Sequence, residues 1–185
     1  DQVTGEIIKT ETIEGLEKDE YTTEPEEIPG YELVVTPDNA DGEMTDGKTT
    51  VIYEYRKVSN VTAKYIDENY GTEIVADVVE EYKEGDTYTT EEKTFDGYQL
   101  TVAPDNAAGT VERENIEVIY KYKKISEGVE VQYKDQVTGE IIKTETIEGL
   151  EKDGYTTEPK DIPGYELVVT PDIANGEMTD GKTTV

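Results

Sequence analysis

The chain repeats itself, and that limits what it can fold into. Asp1–Val51 laid over Asp135–Val185, an offset of 134, differs at five positions: Glu20/Gly154, Glu26/Lys160, Glu27/Asp161, Asn39/Ile173 and Asp41/Asn175. A more divergent copy lies between them. Val61-Thr-Ala-Lys-Tyr65 aligns with Val129-Glu-Val-Gln-Tyr133, and Tyr98–Asp105 with Tyr165–Asp172, which sets a period of about 67 residues. Self-similarity at a fixed period means that each copy is one small unit and the chain an array of them. The copies divide at 1–58, 59–126 and 127–185.

Each copy reads as four strands, with apolar residues alternating between turn residues. The first is Val61–Tyr65 or Val129–Tyr133, followed by a hairpin turn, Asp67–Gly71 or Asp135–Gly139, whose glycine suits positive φ. The second is Glu140–Ile147. A polar stretch, Glu148–Asp161, has room for one short helix starting near Thr156 or Thr157. The third strand is Tyr165–Thr170, and the fourth is Thr50–Tyr55 or Glu117–Tyr122. In the middle copy the inward set is Val61, Ala63, Tyr65, Ile74, Tyr98, Leu100, Val102, Val118, Tyr120 and Tyr122. Such a unit buries only about 60% of its unfolded surface, so each copy has a thin core. Tyrosine stands where phenylalanine is expected, which lets each hydroxyl stay at a wet rim.

The first copy lacks its first strand, and the third stops before the Ile-Tyr-Glu-Tyr that follows Val51. The expectation is a piece of a longer array, or end copies completed by a neighbouring chain. The joins, Lys57–Asn60 and Lys124–Gly128, are short. With like charge on every copy, they predict an elongated rod in which neighbouring repeats are the main partners.

Composition removes many functions. The net charge is −28, with 45 acidic and 17 basic residues, no Cys, no His and 14 Tyr. That charge repels nucleic-acid backbones and anionic lipid, and no apolar run is long enough for membrane insertion. Thiol nucleophiles, Ser-His-Asp triads and Cys/His zinc sites are excluded. No cofactor is implied. Paired acids are unavoidable at this composition, but they fall in loops and on outward strand positions, which is solvated surface rather than a catalytic dyad. Asp38–Glu43 has hard oxygens, yet its spacing is not that of a calcium loop. Ile173 and Ala108 replace two of the would-be ligands in the other copies, so it reads as a hairpin loop and no metal site is expected. No Asn sits at an inward strand position to make an isopeptide cross-link with Lys. Asn60-Val-Thr62 is a glycosylation sequon without expected meaning.

Val129-Glu-Val-Gln-Tyr-Lys-Asp135, Tyr155–Glu158, Ile162–Val168 and Val51-Ile-Tyr-Glu-Tyr55 follow one another in an order that resembles the MucBP (mucin-binding protein) repeat family. The middle copy departs from it at Phe95-Asp-Gly-Tyr98. The resemblance implies a mainly β, small α+β fold, similar to a tandem β-grasp (ubiquitin-like) array, with first and last strands adjacent. It implies a non-catalytic region of a Gram-positive cell-surface adhesin, extracellular and anchored to the cell wall through another segment. Two functions fit: a module binding mucin or another host glycoprotein, and a structural stalk presenting a separate binding domain. The near-identity of the outer copies favours the stalk, because duplication supplies length. The acidity opposes simple charge attraction to sialylated and sulfated mucins. Tyr21, Tyr88 and Tyr155, each before Thr-Thr-Glu, are the candidates for stacking a sugar; the competing reading is a ring that caps the small core.

Overall fold

The computed structural model describes residues 1–185 as fourteen β-strands and no helix, a mainly β chain. In chain order they are β1 (Glu20–Thr22), β2 (Tyr31–Val35), β3 (Asp41–Glu43), β4 (Glu54–Asp67), β5 (Glu73–Lys83), β6 (Thr87–Thr89), β7 (Tyr98–Val102), β8 (Ala108–Thr110), β9 (Ile116–Lys124), β10 (Val129–Lys134), β11 (Ile141–Ile147), β12 (Gly154–Thr156), β13 (Asn175–Glu177) and β14 (Thr183–Thr184). One sheet runs β2-β4-β9-β7 with β5 also on β4, and another runs β11-β10-β14. Every copy adds a two-stranded ribbon: β1·β3, β6·β8 or β12·β13. β10 and β14 pair in parallel, Val129 with Thr183 and Glu130 with Thr184, so first and last strands are adjacent as the resemblance implied.

The chain divides into two compact units. One comprises Asp1–Ala63, Asp77–Thr90 and Asp105–Val118; the other comprises Lys64–Ala76, Glu91–Pro104 and Ile119–Val185. Each therefore contains one outer copy, part of the middle copy and the join between them.

In the first unit that join is not a linker. Lys57–Asn60 is the middle of β4, a single strand of 14 residues. Its inward residues recur at period two: Tyr55, Ser59, Val61, Ala63, Tyr65 and Asp67 are buried, and Lys57 on the same face is half-buried. At the join the buried residue is small and polar. The Ser59 hydroxyl donates to the Glu112 carbonyl at 3.3 Å, and the Asn60 N–H donates to Asn115 Oδ1 at 2.9 Å. In the second unit Ser126 holds the equivalent place. Its N–H donates to the Gly149 carbonyl at 3.0 Å, and its hydroxyl accepts the Gly128 N–H at 3.0 Å.

The core of the second unit is aromatic. Tyr65 stacks on Tyr120 with centroids 5.3 Å apart, and Phe95 stands edge-on to Tyr65 and Tyr122 at 5.7 and 5.1 Å. Of the residues expected inward in the middle copy, Val61, Ala63 and Val118 in the first unit and Tyr65, Tyr120 and Tyr122 in the second are buried. Ile74, Tyr98 and Leu100 are only half-buried, and Val102 is exposed. Val129, Tyr155 and Met178 form a further cluster, with Ile147 and Val185 against it.

Several expectations are corrected. No helix starts at Thr156 or Thr157. Thr156 closes β12, the Thr157 N–H and hydroxyl both donate to the Ala174 carbonyl, and Pro159 and Pro163 disfavour helical backbone at the residues before them, Glu158 and Ile162. Tyr165–Thr170 is not a strand, and Tyr165 is 53% exposed, whereas Tyr31 lies half-buried in β2. The fourth strand of the first copy begins at Glu54, not Thr50. Neither Tyr165–Thr170 nor Thr50–Tyr53 has a strand paired beside it to complete a ladder. The core hydroxyls are not at a wet rim either. Tyr65 donates to the Glu91 carbonyl, Tyr122 to that of Lys93 and Tyr55 to that of Glu26, each at 2.7 Å. These bonds strap the polar stretch of the copy to the sheet. Burial raises the Tyr65 and Tyr122 pKa values above the ordinary phenol value.

Candidate functional site

The three candidate tyrosines occupy one repeated geometry. Tyr21, Tyr88 and Tyr155 stand directly opposite Gly42, Gly109 and Gly176 across the ribbons. Each ring lies over its glycine so closely that a Cβ there would meet ring atoms at 3.1–3.3 Å. An aromatic ring covering a cross-strand glycine compensates for the missing side chain and pins the ribbon. The hydroxyls donate to the carbonyls of Asn39, Asn106 and Ile173 at 3.2, 3.1 and 3.1 Å. Because the acceptor is backbone, the change from Asn39 to Ile173 leaves this bond intact. Tyr88 and Tyr155 are 6% and 7% exposed, and Tyr21 is half-buried. Each ring thus serves its own ribbon.

The joins hold groups that the sequence reading missed. At the first, Arg113 reaches three partners: Nη2 donates to Asp1 Oδ2 at 2.8 Å and to the Tyr31 hydroxyl at 3.2 Å, and Nη1 donates to Glu84 at 2.7 Å. The Asp1 side chain is 1% exposed. At the second, the Tyr70 hydroxyl donates to Glu151 Oε1, and Asn69 Nδ2 donates to the Glu151 carbonyl at 3.0 Å. The Lys152 ammonium lies 4.0 Å over the Tyr70 ring. The hydrogen bond to Glu151 pushes the Tyr70 pKa up to about 12. Arg113 stands where the outer copies carry Asp46 and Asp180, and that departure from the repeat was the signal available in the sequence.

One substitution between the outer copies rewires an ion-pair cluster. In the first copy Lys9 is the centre, paired with Glu11 and Glu26. In the third, Lys160 replaces the equivalent of Glu26, and Glu145 becomes the centre, with Lys143 at 2.8 Å and Lys160 at 3.0 Å. Beside it lies a shallow cavity of about 260 Å³, lined by Tyr133, Glu145, Thr157, Glu158 and Lys160 among others. No group of three or more acids converges as metal ligands, and no helix is long and apolar enough to cross a membrane.

Ribbons, ladders and strapped loops repeated along one chain define a tandem β-repeat protein. Residues 1–56, 60–123 and 128–185 each match the MucBP domain, and the chain belongs to that family. It is 37% identical over 183 residues to internalin J of Listeria monocytogenes serovar 1/2a, covering 95% of this chain and 21% of that protein. With internalin I of Listeria monocytogenes serotype 4b it shares 29% identity over 192 residues, 100% of this chain and 10% of the relative. The chain thus spans about a fifth of the first and a tenth of the second. A solved structure of Streptococcal High Identity Repeats in Tandem (SHIRT) domains 3-4 from a cell surface protein covers 68% of this chain and 93% of its own, with a TM-score of 0.26 and 14% identity.

Proposed function

We propose that this chain is a non-catalytic repeat region of a bacterial cell-surface adhesin, acting as a stalk. The carrying observation is β4, which passes from the first repeat into the second as one strand whose inward face is buried on both sides of the join, at Tyr55 and from Ser59 onward. A join made of ladder hydrogen bonds resists bending in a way that a Gly/Ser tether cannot. The second reading, contact with mucin or another host glycoprotein, is supported by membership of the MucBP family. Under that reading Tyr21 is the ring with surface left for a sugar, since Tyr88 and Tyr155 are buried. Immobilised mucin and a glycan array, probed with the full chain, separate the two readings. The stalk reading expects binding at the level of an acidic control protein. Saturable binding abolished by Tyr21→Ala would replace it with the second.

A further inference from the structure

The two joins use equivalent positions with different chemistry. Each has a hairpin turn on the preceding copy, Asp1–Gly5 or Asp67–Gly71, whose leading aspartate accepts two backbone N–H groups on Oδ1. Each has an acid on the following copy, Glu84 or Glu151, and these sit 67 residues apart. At the first join Arg113 spans the two acids, with 2.8 Å to Asp1 and 2.7 Å to Glu84. At the second, position 180 is Asp, and the acid is met instead by the Tyr70 hydroxyl from the turn. The outer copies carry Val-Thr at that place in their turns, where the short threonine hydroxyl accepts the N–H two residues on and lacks the reach of a tyrosine. An outer-type turn therefore needs an arginine on the next repeat. A middle-type turn does without one.

The third copy carries the outer-type turn. Asp135 Oδ1 accepts the N–H groups of Val137 and Thr138 at 2.8 and 2.9 Å, as Asp1 does with Val3 and Thr4. Residues 135–153 and 1–19 are identical. Tyr165, the equivalent of Tyr31, is exposed beyond the ladder. We infer that the Asp135–Gly139 turn with Tyr165 is a docking face for a repeat of the middle type. That repeat carries arginine at the position of Arg113 and an acid at that of Glu84. A guanidinium between two partly buried carboxylates is the recognition element, since its planar fork meets both while a second aspartate repels. The proposal does not depend on any glycan contact. It predicts arrays in which outer-type and middle-type repeats alternate.

The test lengthens the full chain at its C-terminus by a second copy of residues 52–124 and follows amide exchange at Val137 and Thr138. The expected result is exchange about tenfold slower than in the unextended chain. The slowing should be lost when the appended equivalent of Arg113 becomes Asp, and also with Asp135→Asn. The double variant should add nothing beyond either change alone. Protection of the appended ribbon, read at the equivalent of Tyr88, checks that the added repeat folds in every variant. Equal protection of Val137 and Thr138 with Arg or Asp at that position, in a folded extension, would overturn the inference.

Discussion

Ile7–Ile13 and Ile141–Ile147 have the same sequence, Ile-Ile-Lys-Thr-Glu-Thr-Ile. The second is β11, laddered to β10 over its whole length; the first is not a strand. Tyr31–Val35 and Tyr165–Val169 are also identical, and here the roles reverse: the earlier segment is β2 on β4, and the later one is not a strand. Intrinsic preference is equal within each pair, so it cannot be the deciding term. What differs is a neighbouring strand that supplies hydrogen bonds and a face to pack on. Strand preference in this protein is thus a property of pairs, as expected when it measures fit to a half-buried pleated surface. Side chains follow the backbone. Leu33 is half-buried, while Leu167 is 57% exposed.

The largest effect should come from removing the partner. Val129 in β10 is fully buried, and Val129→Asp places an unpaired charge there, at a cost of about 3–5 kcal/mol. Amides of Ile141–Ile147 should then exchange as fast as those of Ile7–Ile13. Retained slow exchange in β11 would break the comparison, because the ladder would not be what orders the segment.

A smaller effect is expected at the ribbon glycines, where all three copies remain strands. Gly109→Val drives two methyl groups into the Tyr88 ring and should cost about 1–3 kcal/mol. Gly42→Val should cost less, because the half-buried Tyr21 has room to turn away. Thermal unfolding of the two variants gives the order; a reversed order would show that ring burial does not set the penalty. Smaller again is Tyr122→Phe, which removes the 2.7 Å bond to the Lys93 carbonyl and should cost about 1 kcal/mol. Tyr133→Phe, with a 3.3 Å bond to the Glu158 carbonyl, should cost less than that in the same denaturant titration.

The smallest effect is in acid. Four carboxyls of the third copy are held below their ordinary values, Glu130 among them through Lys182 and Gln132. Asp135 is lowered by the backbone N–H groups of Thr138 and Val137, Glu145 by Lys143 and Lys160, and Asp153 by Lys123. A carboxyl with a lowered folded pKa stabilises above its unfolded value, and that stability is lost as the pH falls through the folded value. The ordinary values are 3.8 for Asp and 4.5 for Glu, so the loss belongs below about pH 4.5. In the first copy Glu11, held by Lys9, is the carboxyl lowered in this way. Exchange at β11, followed from pH 6 downward and corrected for intrinsic rates, should accelerate in that window. These groups are open to solvent, so added salt should blunt the change.

The repeat, the strand-and-turn pattern, the family resemblance and most of the middle-copy core could be read from the residues, because alternation and turn chemistry are local. The tyrosine positions were legible too, but their role was not. A ring over a cross-strand glycine requires knowing which strands face each other, and Tyr21 and Gly42 are 21 residues apart. The joins were the least legible. Lys57–Asn60 looks like a polar connector, and only the burial of Ser59 on the inward face of β4 makes it part of a strand. Arg113 was visible as a departure from the repeat, but its meaning lay in Asp1 and Glu84, which the fold brings to it. By itself the sequence determined what each copy is built from and how often it recurs. Only the tertiary structure decided which identical segments become strands and which charges meet, because both depend on neighbours far away in the chain.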